Sequence, residues 1–353
     1  MLIEICEDII AKAENGDDNT LNLLRILASS NRQGKHLVTS SRKNIDRIVG
    51  IKSLDKQTRC IYNSLIEKQY ILGYGITNKI DFRVKITFSE STRRDLSNNC
   101  IWLNPSEYDL FNYLDATRLL CENLSDCVFY EYCANYYKNE ARISKARHNL
   151  SHLMGGGNTI GKVYEEAIKS NEYFCLSIID SDKYFPDSDE GDTAKGVREI
   201  DSKYEAFNVS FYVLQGLSEV ENMIPKNAIN ACRVLPNYPD YDTSFLDLKC
   251  GLSCFPLRKF NEKYDHWKEI LGEANIEKSQ TCTRQDDDCN KSCDRITFYS
   301  PVYGSDVLEK VLADGNAIKE LKRPQLVYNQ FDEWRNVGKL LLEWGCSMER
   351  LNA

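Results

Sequence analysis

The chain has 353 residues, 42% of them hydrophobic and 28% charged, with 18 Gly and 8 Pro. That balance excludes a mainly disordered, collagen-like or linker-like chain and leaves room for two or three domains with a substantial core. The net charge of −8 argues against a protein that coats nucleic acid non-specifically. No apolar run reaches the roughly 18 residues of a membrane helix, and acids interrupt the first apolar stretch, which is unlike a secretory signal. A cytoplasmic protein with no membrane partner is therefore expected. Several of the fourteen cysteines (Cys121, Cys127, Cys133, Cys175) sit in apolar runs and are expected as buried thiols in a reducing compartment.

Leu2, Ile3, Ile5, Ile9 and Ile10 follow a helical period, NGDDNT breaks it, and Leu21, Leu23, Leu24 and Leu27 resume it. Residues 1–29 are thus expected as one or two helices. Ser41 can cap a short helix through Val49, and Ser53 a longer one through about Tyr70. YILGYGI and DFRVKITF come next as two strands, the second alternating at Phe82, Val84, Ile86 and Phe88. Helices and a β-ribbon are compatible with a winged-helix-like module; a generic packing domain is the plainer alternative. Arg32, Lys35, Arg42, Lys43, Arg47, Lys52, Lys56 and Arg59, against Asp46 and Asp55, give residues 32–59 a charge of +6 and leave the remainder at −14. Such a face can dock nucleic acid or another polyanionic partner, or it can simply be solvated.

Residues 90–112 read as a connection. From about Tyr113 strands and helices alternate: ATRLLCE is a strand, SDCVFYEYCANYYKN a helix, NLSHLM a strand, GGGN a turn, TIGKVYEEAIKS a helix, YFCLSIID a fully apolar strand, then a polar insert and the strand NVSFYVLQ. This order predicts an α/β fold with a parallel sheet flanked by helices. After Pro225 the rhythm is lost. Residues 256–275, 305–321 and 329–346 look helical, ITFYSPVY looks extended, and an α+β C-terminal region results. The expected division is 1–111, 112–235 and 236–353.

The informative residues lie at strand ends. Glu122 closes the first strand of the alternating region, Asp180 and Asp182 end the third, and Glu219 and Glu221 come after the fourth. Carboxyl ends of parallel strands converge on one crevice, which would gather these acids. Gathered carboxylates repel, and a hard divalent cation such as Mg²⁺ or Mn²⁺ relieves the repulsion. A turn directly after the strand is needed to bring Asp182 back toward a shared ion, and SDKYFP can supply it. Gly155-Gly156-Gly157 before a helix allows close approach of a phosphate. Taken singly, each acid has an ordinary use as a helix cap or solvated charge. DSDKYFPDSDEGD is not a calcium loop, because Tyr184 and Phe185 stand at its fifth and sixth positions.

These segments resemble the TOPRIM family. LLCENLSDCVFYEYC resembles its first strand and helix, HLMGGGN its second motif, SIIDSD its Asp-x-Asp motif, and SEVENMIP the acidic stretch of its nuclease branch. That branch includes the overcoming-lysogenization-defect nucleases and TOPRIM effectors of antiphage systems. The resemblance covers about residues 113–226, with Asn123 where Gly is usual. It implies a Mg²⁺- or Mn²⁺-dependent nuclease acting on DNA or on structured RNA such as tRNA. Glu122 would be the metal-linked catalytic acid or base, and Asp180 and Asp182 metal ligands with a catalytic role. Asp126 with Glu221 or Glu219 would complete a second metal position, and Lys183 or Lys195 would stabilise phosphate charge. A sensor, ATPase or other inhibitory partner of a defence system is implied, and a homo-oligomer is compatible. Strand transfer, primer synthesis, or a non-catalytic nucleic-acid- or partner-binding scaffold are the alternatives.

Two further groups stand apart. Cys250, Cys254, Cys282, Cys289 and Cys293 could hold a structural Zn²⁺, although none of their spacings is CxxC; unligated thiols are the alternative. His148 and His152 are four apart but fall on a strand-like segment, so ordinary structural roles are expected.

Overall fold

The computed structural model describes residues 1–71, 75–249, 252–256, 276–277, 295–299 and 303–350. They form two compact units. The first comprises Met1–Ile179, Lys195–Tyr212 and Arg335–Ala353; the second comprises Asp180–Ala194 and Val213–Trp334.

The first unit opens with β1 (Leu2–Ile5), α1 (Glu7–Glu14), α2 (Asp18–Arg32), β2 (Leu37–Thr39), α3 (Arg42–Gly50) and α4 (Lys56–Ile71), then β3 (Arg83–Ile86), β4 (Arg93–Asp95) and β5 (Cys100–Leu103). The strands form one sheet in the order β2-β1-β3-β5-β4, parallel except for β4. This corrects two expectations. Residues 2–5 are a strand, not the start of a helix; four residues, three of them apolar, are too few to separate the two periods, and a strand covered on both faces shows no clear alternation. Residues 83–86 pair in parallel with β1 and β5, so the first region is an α/β sheet and not the winged-helix-like arrangement of helices and ribbon. The expected connection 90–112 also contains β4 and β5. The strand expected from YILGYGI is helical at both described ends, Tyr70–Ile71 in α4 and Gly75–Ile76 beyond it, while residues 72–74 lie outside those described. Ser41 does cap α3, accepting from the Asn44 N–H.

The alternating region folds as its periodicity predicts. α5 (Leu110–Tyr113) leads into β6 (Thr117–Cys121), α6 (Leu124–Glu140), β7 (Arg147–His148), β8 (Leu150–Met154), α7 (Ile160–Ser170), β9 (Cys175–Ile179), α8 (Asp192–Tyr204) and β10 (Val209–Val213). The sheet order is β10-β9-β6-β8, with β6 parallel to both β8 and β9. All five residues of β9 are buried, as a central strand requires. Each such Leu or Ile contributes about 1.5–3 kcal/mol of transfer free energy. Because β6 and β9 are parallel neighbours, their carboxyl ends, just before Glu122 and Asp180, lie on one edge of the sheet. The helix α8 lies within the expected polar insert; its buried Ala194 and Val197 are too few to give a clear apolar stripe.

The second unit holds α9 (Lys226–Ala231), an antiparallel sheet of β11 (Leu252–Pro256), β12 (Ile276–Glu277) and β13 (Arg295–Tyr299), α10 (Val307–Ala313) and α11 (Gly315–Leu321). The helix expected over 305–321 is broken at Asp314, which accepts from the backbone N–H groups of Asn316 and Ala317 and so starts a new helix. α12 (Gln330–Gly345) begins in the second unit and ends in the first, before β14 (Cys346–Ser347). Among the described residues, no helix is long and apolar enough to cross a membrane.

One buried acid in α12 makes the first unit's stability pH-dependent. Burial pushes the Glu343 carboxyl up to about 7, against the pull of the Lys339 ammonium 3.7 Å away. Its folded pKa lies above the ordinary carboxylate value, so its ionisation opposes folding as pH rises from about 4.5 to about 7. Glu343→Gln should therefore raise Tm by a few °C at pH 8 and leave it unchanged near pH 4. Thermal unfolding across that range checks this.

Candidate active site

The site is built from two irregular segments of the second unit. The first comes directly after β9. Ser181 and Asp182 both donate their backbone N–H to the Ser218 carbonyl, at 2.9 and 3.0 Å, and the Ser181 hydroxyl donates to the Leu217 carbonyl at 2.7 Å. Asp182 then takes φ +50°, a left-handed conformation that Asp tolerates better than most residues. This is the turn that the Asp-x-Asp spacing needs. Gly191 closes the loop, donating its N–H to the Ser181 carbonyl at 2.8 Å. A Cβ at position 191 would overlap the Asp182 side chain, including its own Cβ, which cannot swing away.

The second segment comes after β10. A Glu333 oxygen accepts from the N–H groups of Gln215 and Gly216, at 2.9 and 3.0 Å. The Asn222 amide is the hub of the next turn. Its oxygen accepts from the Glu219 N–H at 2.9 Å, and its nitrogen donates to the carbonyls of Thr243 (2.6 Å) and Leu246 (2.9 Å). Gln330 donates to the carbonyls of Asn222 and Ile224, and the Trp334 indole N–H to Met223. The two segments are then tied directly, because the Val220 N–H donates to Asp180 Oδ1 at 3.0 Å. Residues 40 positions apart are thereby joined, and Asp180, Asp182, Glu219 and Glu221 share one region.

A lysine that lies at no strand end sits among them. Lys249 Nζ lies 3.2 Å from Glu219 Oε2 and 3.3 Å from Glu221 Oε1. Burial would lower the Lys249 pKa, but Glu221, Glu219 and Asp180 together raise it well above its usual value. Burial raises Asp182, with Lys249 opposing and Asp192 reinforcing; it raises Glu219 likewise, with Lys249 opposing and Asp247 reinforcing. Both sides of the Lys249–Glu219 pair shift upward: the carboxylates raise the ammonium, and for Glu219 the cost of burial outweighs the pull of Lys249. The donor set is all carboxylate oxygen, which suits a hard divalent cation. Among the described residues, no three His, Cys, Asp or Glu side chains stand at the spacing a metal ion's ligands take. In the second unit the Lys249 ammonium occupies the space between the two glutamates.

The other residues expected at the site have local roles of their own. Glu122 is half-buried in the first unit, and its carbonyl accepts from the Gly156 N–H at 2.9 Å. Asp126 is buried and accepts from the Asn123 N–H at 2.8 Å, closing a capping box at the start of α6. Gly156 and Gly157 have φ of +67° and +43°, and a Cβ at Gly155 would strike the Ile160 side chain, so each glycine answers a local need. Lys183 is half-buried, with Nζ 3.5 Å from the Pro186 carbonyl. Of the basic set, Lys35 pairs with Asp115, and Arg47 with Glu7 (2.8 Å) and Glu14 (2.7 Å). Arg42, Lys43, Lys52 and Lys56 are exposed, and Arg59 is half-buried. Cys250, Cys282, Cys289 and Cys293 lie outside the described residues. Cys254 is in β11, where the backbone alone is described, so the zinc expectation falls outside them too.

Compared with known proteins, the chain matches no family model, and no curated protein or solved structure is similar to it at a significant level.

The Asp182 turn carries a direct test. Gly191→Ala should cost on the order of 1–3 kcal/mol, since the added methyl meets a side chain with nowhere to move. Urea unfolding of the wild type and the variant measures it.

Proposed function

We propose that the chain is a divalent-metal-dependent nuclease of the TOPRIM type, hydrolysing phosphodiester bonds in DNA or structured RNA. The observation that carries this reading is the four-carboxylate set Asp180, Asp182, Glu219 and Glu221. Structural acids are usually spread apart or paired one to one; these gather around the Lys249 ammonium. Mg²⁺ or Mn²⁺ held by them would supply an acidified water and charge stabilisation at the leaving oxygen.

The protein's own part is positioning. The Val220–Asp180 hydrogen bond and the Asn222 hub hold the two acidic segments in register, so little reorganisation is needed at the moment of reaction. The resemblance to TOPRIM nucleases alone assigns Glu122 as a catalytic acid or base, Asp126 as an outer ligand, and Gly155–Gly157 and Lys183 as phosphate contacts. The exposed Arg42, Lys43, Lys52 and Lys56 would steer a polyanion in a salt-dependent way. An inhibitory partner in an antiphage system fits an enzyme whose substrate is the cell's own nucleic acid.

Asp180→Ala, in a protein whose melting curve is otherwise that of the wild type, should lower cleavage by about 100-fold or more. Incubation with plasmid DNA and total RNA, in Mg²⁺ or chelator, reads this out. Cleavage that persists in the variant, or in chelator, removes the assignment.

A further inference from the structure

We infer that the Lys249 side chain is an exchangeable internal counter-ion, which a divalent cation must displace to reach the acid cluster. This rests on reading Asp180, Asp182, Glu219 and Glu221 as a cation site. Lys249 Nζ stands 3.2 and 3.3 Å from one oxygen each of Glu219 and Glu221. Those are contact lengths for an ammonium. A Mg²⁺ ion takes carboxylate oxygens at about 2.1 Å. A divalent cation that takes the two glutamate oxygens already contacted by the ammonium has to displace it. The two cations therefore exclude each other at these acids.

The local construction allows exchange. The Lys249 backbone is pinned: its N–H donates to Asp247 Oδ1 at 3.0 Å, and its carbonyl accepts from the Gly304 N–H at 2.9 Å. Its side chain is 32% exposed and ends a flexible four-carbon stem. The head group can thus swing into solvent while the chain path stays in place. With the ammonium in, its charge offsets the acids; with the ammonium out, a metal can take the two oxygens it contacted.

Mn²⁺ alone, titrated into the full-length protein and followed by calorimetry, should bind Lys249→Met at least about 10-fold more tightly than the wild type. Equal or weaker binding by a folded Lys249→Met overturns the inference. The wild type gives a second reading that needs no variant. Lys249 should be acylated by an amine-reactive reagent at least about 5-fold faster in saturating Mn²⁺ than in chelator, as quantified by peptide mass spectrometry. If Mn²⁺ binds but Lys249 reacts no faster, the competition is wrong and the metal site stands. If no Mn²⁺ binds to either protein, or if Asp180→Ala binds it as well as the wild type does, both readings fail together.

Discussion

Burying several like charges in one place is the constraint around which the second unit is organised. Two carboxylates about 4 Å apart repel by roughly 4 kcal/mol at the effective dielectric of a protein's outer layers. Asp180, Asp182, Glu219 and Glu221 come from segments that could have turned toward water. They are held instead around the ammonium of Lys249, which all four feel or touch. Asp182 and Glu219 are shifted upward chiefly by burial, with nearby carboxylates reinforcing and Lys249 opposing.

What makes the arrangement rigid is neutral hydrogen bonding. The segments after β9 and β10 leave the sheet ladder, so their backbone groups need other partners. Buried polar side chains supply them. Asn222 satisfies three backbone groups, Gln330 two more, and Glu333 takes two N–H groups at the turn after β10. The Ser218 carbonyl accepts both N–H groups of the Asp-x-Asp turn. The acids are thus loop residues with the positional definition of residues on a regular element, which is what a site for charge chemistry requires.

The first unit shows how charge in sequence overstates charge available at a surface. Residues 32–59 carry a surplus of +6, yet Arg47 is engaged by Glu7 and Glu14 and Lys35 by Asp115. The partners lie 33, 40 and 80 positions away, on elements that the parallel sheet brings beside α3 and the end of α2. The unpaired surplus is smaller than the composition implies, and Arg42, Lys43, Lys52 and Lys56 are its exposed members.

The sequence by itself determined the alternating β6-to-β10 region, its parallel sheet and the acids at its strand ends. The reason is physical. β9 is too apolar and too short to be anything but a central strand, α7 has a clear helical stripe, and acids directly after strands need no distant information to be located. Tertiary structure decided the rest. β1 and β2 were hidden because two or three buried residues fit either period. α8 was hidden because most of its surface faces water. The expected ribbon became part of a parallel sheet because pairing partners are chosen over distances that local pattern does not encode. Lys249 lies 28 residues beyond Glu221, in a segment with no periodicity to place it. Its meeting with the glutamates exists only because the chain between them folds back, and attraction between charges leaves no mark on spacing.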